Sequence, residues 1–588
     1  MADSVSSAKK SFLLLLCVGL AALAWWAVIH PRSIASEWRE PLKSASFAPF
    51  SDGQSPLKEV FPTRSQVEAD LVRLQGVFSG VRTYTSQDGM EAVPELAAKY
   101  GFALTHSAWL GREKIDNDKE VAALIETANR YPQAVKRVIV GNEVLLRRDL
   151  KPDELIAYID QVRAAVQQPV SYADVWAFWL KNPQVADHVD YITIHILPYW
   201  EDEPVSLHDA QQHMLAIIEK IKQRFPGKPI LVGETGWPTE GRSRGPAHAD
   251  LLTAAEFVRA LPKLAAEHDF DYNIVEAYDQ SWKAQLEGTV GARWGLFDSA
   301  RVEKFPLTGP VVPLDDAMAR AVTSVVLGVL ISLLLLPYLR TAQQVIFLSV
   351  WSQLFSAAIV WAVYKSLRLS VAPASITWLA QRALFFMADQ QWLSDASVAY
   401  WYKLLLQTLA EPFAKLWGGV LAVFSVLFAL GGVQWLVALL KHKQSSAAVH
   451  WVRRGFALYA VGAMAFALMF STSGRYMDIP VALYSLPIIL AGGLWLSRRC
   501  MPEIPLRASA VYAWNIRAKL LLPLAALACV WGEVSAMLHG EDFVTMHPLL
   551  NEQIPLIANS LLANHQLLLW CLLCVLLALP FRRAEQLA

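Results

Sequence analysis

The chain has 588 residues, of which 54% are apolar, 11% aromatic and 18% charged, and its formal net charge is zero. That length exceeds one ordinary domain, and a mean hydropathy of +0.31 argues against a disordered or purely soluble chain. The lack of a basic excess argues against a nucleic-acid binder.

The zero hides a division. Residues 1–30 carry a net +1, residues 31–315 a net −9 and residues 316–588 a net +8. Apolar runs lie at the start and after residue 315. The sequence therefore predicts an anchor at 1–30, a soluble domain at 31–312 and a polytopic membrane domain at 313–588. The five cysteines are Cys17, Cys500, Cys529, Cys571 and Cys574, all outside the middle block. That block can hold no disulfide and no thiolate site. Cys571 and Cys574 form a C-x-x-C, but inside an apolar run, which reads as two packed thiols.

The first predicted element is the run 11–29 (SFLLLLCVGLAALAWWAVI), close to the roughly 20 residues a membrane-crossing helix needs. Lys9 and Lys10 precede it, so the positive-inside rule puts the N-terminus in the cytoplasm. A cleaved signal peptide is the alternative, since 33–36 offers small residues. The run exceeds the usual apolar core of about 7–15 residues, which favours an uncleaved anchor.

Short β-rich runs follow at 46–50, 80–84, 102–108, 137–142, 170–175, 191–196, 230–233 and 273–278. Helical periods lie between them at 62–74, 91–100, 118–131, 152–166, 206–225 and 247–268. Eight strands alternating with helices over this length predict an α/β fold, a (β/α)8 TIM-like barrel. Later spans are predicted at 317–338, 344–364, 417–440, 455–471, 480–497, 519–538 and 563–580, giving eight transmembrane helices in all. Basic residues from Arg340 to Arg583 flank the ends that the alternation assigns to the cytoplasm. The loop near 366–414 carries Trp378, Trp392, Tyr400, Trp401 and Tyr402. It reads as amphipathic helices at the headgroup level, or as a platform guiding a glycan. Glu533 stands near the outer end of a span, where a carboxylate is a functional suspect.

A barrel of this kind keeps its active site at the C-terminal ends of the strands. Reactive residues gather at those ends. Arg82 and Tyr84 close the second strand, Asn142 and Glu143 the fourth, Asp174 and Trp176 the fifth. His195, Tyr199 and Trp200 follow the sixth, and Glu234 and Trp237 the seventh. Glu276, Asp279, Trp282 and Lys283 follow the eighth. Glu143 and Glu234 form a pair across the barrel, the arrangement that glycoside chemistry uses. One carboxyl must stay protonated to donate to the leaving oxygen, so its pKa must be raised; the other must be ionised to attack the anomeric carbon. Asn142 can hydrogen-bond a sugar 2-hydroxyl, and the indoles can stack on sugar rings. Lys283 can steer a hydroxyl or pair with Asp279, and Glu276 is a candidate third catalytic group or a positioner of Arg82 or Glu234. Trp237 can simply support the turn before Pro238. His195 shows no metal-ligand spacing, so no metal is expected. The acidic run Glu201-Asp202-Glu203 reads as barrel rim.

GNE at 141–143 and GETGWP at 233–238 resemble the two signatures of glycoside hydrolase family 17. RTY at 82–84, HILPYW at 195–200 and EAYDQSWK at 276–283 resemble its bacterial members. The likeness covers roughly 44–300, and GETGWP is its specific part. It implies a retaining β-1,3-glucan enzyme with Glu143 as acid/base and Glu234 as nucleophile. The membrane-anchored branch includes β-1,3-glucan transglycosylases and proteins of β-(1,6)- or cyclic β-glucan synthesis. The leading expectation is a β-1,3-glucan transglycosylase that elongates or branches exported glucan through a covalent glycosyl-enzyme. The alternatives are a hydrolase with the same site, or a glucan export or assembly protein. No cofactor is expected. Expected partners are a β-glucan, the bilayer and a separate glucan synthase. The implied location is the bacterial inner membrane, with the barrel in the periplasm and both termini in the cytoplasm.

Overall fold

A computed structural model describes residues 5–314, 316–368, 410–441, 446–500 and 516–582, with isolated positions at 383, 387, 397 and 401. The chain forms two compact units. One holds Met1–Pro31, Val312–Ala536 and Asn564–Ala588; the other holds Arg32–Val311 and Met537–Ala563.

The second unit is a closed barrel of eight parallel strands in sequential order. The strands are β1 (Ala45–Ser46), β2 (Gly80–Arg82), β3 (Ala103–Ala108), β4 (Val135–Asn142), β5 (Val170–Val175), β6 (Ile192–His195), β7 (Ile230–Thr235) and β8 (Asp271–Ile274). Ala45 closes the ring by pairing with Val81 on one side and Ile274 on the other. Strands covered on both faces need apolar residues on both, hence near-continuous runs such as RVIVGN and ILVGET. Ile139, Ala173, Tyr191 and Leu231 pack together as a cluster apart from the main core.

Helices Arg64–Leu74, Val93–Tyr100, Lys114–Arg130, Pro152–Ala165, Leu207–Arg224 and Leu251–His268 follow the six expected helical periods closely. Their starts are chemically marked. Thr63 and Gln66 form a capping box, Pro152 occupies the first turn, and Asp250 caps Leu251–His268 through the amide of Thr253. Their apolar stripes turn inward, as with Leu155, Ile159 and Val162.

The ladder is irregular where the site residues begin. The register shifts between Ile139 and Asn142, between Ile194 and His195, and between Val232 and Thr235. Such irregularities re-aim side chains at a barrel mouth.

In the other unit, Ser7–Ile29, Ala317–Tyr338, Ala342–Arg368, Lys415–Leu440, Ala447–Ser471 and Leu520–Leu538 are long and apolar enough to cross a membrane. Leu550–Ala563 and His565–Ala578 add a seventh only if this pair, bent by 69°, counts as one span. The expected eight thus becomes six or seven among the described residues. The expected span 480–497 falls on a 20-residue helix, Val481–Cys500, which carries Pro487 and whose apolar part among the described residues is Val481–Leu494. Glycines let these helices approach closely: a Cβ on Gly493 would stand 2.0 Å from Trp351 Nε1, which donates to the Ile489 carbonyl at 3.0 Å. Most of the aromatic loop 366–414 lies outside the described residues. A second departure is Met537–Ala563. It was expected with the membrane helices and instead groups with the barrel.

Candidate active site

Glu143 follows the last residue of β4. Gly141 and Glu143 both take left-handed backbone, with φ of 82° and 52°. Only glycine suits position 141, because a Cβ there would meet Val144 Cγ2 at 2.7 Å. The turn directs Glu143 out of the ladder while its amide still bonds the Ala173 carbonyl at 2.8 Å. A bulky residue rarely holds such a φ, and backbone strain of this kind concentrates at functional sites.

Arg82 ties three strand ends together. Its Nη1 donates to the Gly233 carbonyl at 2.7 Å, and its Nη2 donates to Asn142 Oδ1 at 2.6 Å. Nη1 also stands 3.5 Å from Glu234 Oε1. The side chain is fully buried, so its charge depends on these partners and on the Tyr84 ring beneath it. Gly233 makes this possible, since a Cβ there would lie 2.4 Å from Thr193 Cγ2 and 3.2 Å from Arg82 Nη1.

His195 stands between the two glutamates. Its Nδ1 bonds Glu143 Oε1 at 2.9 Å, and its Nε2 lies 3.5 Å from Glu234 Oε1 without a hydrogen bond to any described residue. One ligand-type atom from each of Glu143, His195 and Glu234 falls within 4.8 Å of the others. This cluster could also hold a cation. Spacing along the chain gave no sign of it, because the three groups come from three different strands. Burial pushes the Glu143 carboxyl up, but the His195 bond and charge, with Arg147 and Arg82 behind them, outweigh burial and hold it below the ordinary value. The raised pKa expected of an acid is therefore not met at Glu143 in the free chain.

Asp174 and Glu276 carry the raised values instead. Burial, then the charge of Glu143, lifts Asp174 to about 7; Tyr172 donates its hydroxyl to this carboxyl. Burial lifts Glu276 to about 7 even though Lys283 Nζ is 2.9 Å away. Lys283 thus pairs with Glu276. Asp279, the partner proposed for it from sequence, is taken by Lys304 at 2.6 Å, Arg293 at 3.2 Å and the Gly295 amide at 2.9 Å. Neither Arg82 nor Glu234 is a hydrogen-bond partner of Glu276; its described partner is Lys283.

The aromatics divide. Tyr84 is half-buried, lies under the Arg82 guanidinium at 4.8 Å and bonds Ser46 Oγ at 2.8 Å. Trp200 and Trp282 are partly exposed, the first stacked on Tyr199 and the second against Phe50. Tyr199 is fully buried and donates to the Arg242 carbonyl. Trp176 and Trp237 are 1% exposed. Trp176 faces Lys220 of the outer helix at 5.8 Å, and Trp237 donates to the His248 carbonyl and packs on Phe257. Their burial leaves them no surface to offer a sugar ring.

Other residues at the site were not singled out from sequence. Trp109, just past β3, is 41% exposed and has Arg147 over its ring at 4.2 Å. Glu287 is raised by burial, with Lys283 opposing and Glu143 and Glu234 adding to the rise, so it faces the same charges as the pair. Trp294 packs edge-on against Tyr199 and Trp200. An exposed tryptophan directly after a strand was a usable signal for Trp109. Glu287, in QLEGTVG, had none.

Residues 45–295 match the family described as BtgE/BtgC glycoside hydrolase domain. A glucan 1,3-beta-glucosidase of Schizosaccharomyces pombe is 31% identical over 256 residues, which are 41% of this chain and 79% of the relative. The chain belongs to the BtgE/BtgC-type, family 17-like glycoside hydrolases. A probable glucan endo-1,3-beta-glucosidase of Aspergillus niger is 25% identical to this glycoside hydrolase, which spans 51% of that relative's length; the match takes up 35% of the chain. A family 17 beta-1,3-glucanosyltransferase from Rhizomucor miehei superposes with a TM-score of 0.39 at 24% identity, covering 45% of this chain and 95% of the other. The expectation of a glycoside hydrolase-like enzyme on a closed barrel is thereby met.

Proposed function

We propose that the chain is a membrane-tethered, retaining β-1,3-glucan enzyme that transfers glycosyl units to a sugar acceptor. The observation that carries the mechanism is the approach of the two glutamates, with oxygens within 4.8 Å of each other. Retaining enzymes hold their carboxyls about 5–5.5 Å apart, whereas inverting enzymes leave about 6.5–9.5 Å for a water. In the first step a Glu234 oxygen bonds the anomeric carbon as the bond to the leaving sugar breaks. Glu143 supplies the proton to the leaving oxygen. In the second step Glu143 takes the proton of an acceptor hydroxyl, whose oxygen attacks the anomeric carbon and releases Glu234. His195 bonds the Glu143 carboxyl and stands 3.5 Å from Glu234, so it orients the acid/base beside the nucleophile.

The substrate assignment rests on relatives named for β-1,3-glucan. Partly exposed Trp109, Trp200 and Trp282 support sugar-ring contacts on both sides of the pair. Hydrolysis is the second reading, favoured by the glucosidase names of those relatives. The two differ only in whether water or sugar reaches the same intermediate.

The apolar helices support attachment to a membrane, and the flanking basic residues support a bacterial inner-membrane topology with the barrel in the periplasm and both termini in the cytoplasm. The loop between the last two expected spans packs on the barrel, which agrees with both lying on one side. Export or assembly by the membrane helices, alone or with a separate synthase, is tested by whether glucan export survives Glu234→Gln.

The deciding experiment incubates the full chain with an end-labelled laminari-oligosaccharide and resolves products by mass and linkage. Products longer than the substrate support transfer, and a new linkage indicates branching. Only shorter products assign hydrolysis. Glu234→Gln should lower turnover at least 10³-fold, roughly 4 kcal/mol of transition-state stabilisation. Substantial residual turnover would overturn the assignment.

A further inference from the structure

The run Glu201-Asp202-Glu203 directly follows Trp200 and was expected at the rim of the barrel. Glu201 and Asp202 are buried instead, at 7% and 6% exposure. Buried carboxylates need partners, and each acid of the run has one. Glu201 takes His213 at 2.6 Å. The other two are met by Met537–Ala563, more than 300 residues further along the chain. Asp202 Oδ2 accepts the Asp542 amide at 3.1 Å, and Glu203 Oε2 bonds His547 Nε2 at 2.8 Å.

The same segment reaches the loops on either side. Glu541 bonds Arg148 at 3.0 Å and Lys181 at 2.8 Å. Arg148 lies five residues past Glu143. At the other end, a Cβ on Gly245 would stand 2.5 Å from Ser560 Oγ. Gly245 follows Arg244, whose guanidinium lies over the Trp200 ring at 5.5 Å, and both belong to the loop after Glu234. Phe543 anchors the segment at 1% exposure, and Ile557 is buried at 8%.

We propose that Met537–Ala563 is a clasp of the catalytic unit that positions the Tyr199–Trp200 wall of the glycan cleft. It joins the loop after Glu143, the loop that carries Trp200 and the loop after Glu234. It touches neither glutamate, so it acts on affinity for the sugar and not on the chemical step. The sugar part of this inference rests on the function proposed above; the docking part does not.

The test uses the full chain in detergent or nanodiscs. Glu541→Lys places a third cation beside Arg148 and Lys181. The expected result is at least tenfold faster hydrogen exchange in peptides covering 541–547 and 199–205, with barrel strands unchanged. KM for a laminari-oligosaccharide should rise at least threefold while kcat stays within twofold. The triple variant Arg148→Glu, Lys181→Glu, Glu541→Lys restores opposite charges and should return both readouts toward the parent. Faster exchange at 541–547 with 199–205 unaffected would overturn the coupling. Unchanged KM in a variant whose clasp has loosened would overturn the affinity role. A parent inactive on glucan would sink the function proposed above, and exchange alone would then decide the clasp. If Glu541→Lys does not fold, Gly245→Cys with Ser560→Cys replaces it. The Cβ built at 245 lies 3.5 Å from the Ser560 Cβ, within disulfide reach. A bond that forms, slows exchange at 199–205 and leaves KM at or below the parent supports the clasp; no bond, or no slowing, overturns it.

Discussion

The imidazole of His195 bonds Glu143 through Nδ1 at 2.9 Å and turns its other nitrogen toward Glu234 at 3.5 Å. One side chain therefore stands against both carboxyls. It opposes the burial that would raise Glu143.

Removing His195 should expose that burial. In His195→Ala the Glu143 carboxyl loses the bond and the charge that hold it down, so its pKa rises. The alkaline limb of the pH–kcat/KM profile, where the acid must hold its proton, should move to higher pH, with kcat reduced at least tenfold. A pH–rate profile of parent and variant checks this; an unmoved limb would show that Glu143 is not the acid.

Stability should depend on pH through Asp174 and Glu276. Both hold their protons up to about 7 in the folded chain, burial being the main cause. The unfolded chain releases them near about 4. Between those values the folded state binds more protons, so this contribution falls as pH rises from about 4 to about 7 and is constant above. Asp174→Asn should flatten part of that slope, by an amount on the order of a few kcal/mol. Barrel unfolding followed at pH 5 and pH 8 measures it, and an unchanged difference between the two would refute the account.

Trp109→Ala should raise KM for oligosaccharides by about 10-fold, the scale of one ring-stacking contact, while leaving kcat on short substrates nearly unchanged. Trp176→Ala should behave differently. It empties a buried site, costing about 3–5 kcal/mol of stability. Kinetics and thermal unfolding of the two variants together separate a sugar-facing indole from a packing one.

Gly233→Ala should be severe for its size. The added methyl would sit 2.4 Å from Thr193 Cγ2 and 3.2 Å from Arg82 Nη1. The guanidinium would be displaced from the Gly233 carbonyl and from Asn142. Leaving a buried charge poorly paired costs about 3–5 kcal/mol. Both stability and activity should drop, and Thr193→Ser, which removes the nearest clashing methyl, should recover part of the loss.

The barrel and its glutamates were legible because their signals are local. Each strand is a short apolar run; Glu143 directly follows β4, and Glu234 is the last residue but one of β7. Strand edges were less so: β8 is Asp271–Ile274, whereas the alternation extended it to 278. Lys283 was assigned to the wrong carboxylate because Asp279 and Glu276 are both near in sequence, and only the fold brings Lys304 to Asp279. The buried state of Trp176 was equally hidden, whereas Trp237 was already readable as support for its turn. A tryptophan after a strand can face the cleft or the helix layer, and one residue of register decides which. The span count is less legible from sequence where Pro487 lies within a helix and where a 69° bend interrupts the last run.

The contacts of Phe543 and His547 with the barrel unit also fix an order of events during synthesis. Residue 311 closes the barrel's own sequence, but His547 emerges 236 residues later. At about 5–20 residues per second this interval is roughly 10–50 s. For that time Asp202 and Glu203 lack their late partners, and the Phe543 seat is open. The barrel's own sequence is therefore complete long before the late partners of its acidic rim are made.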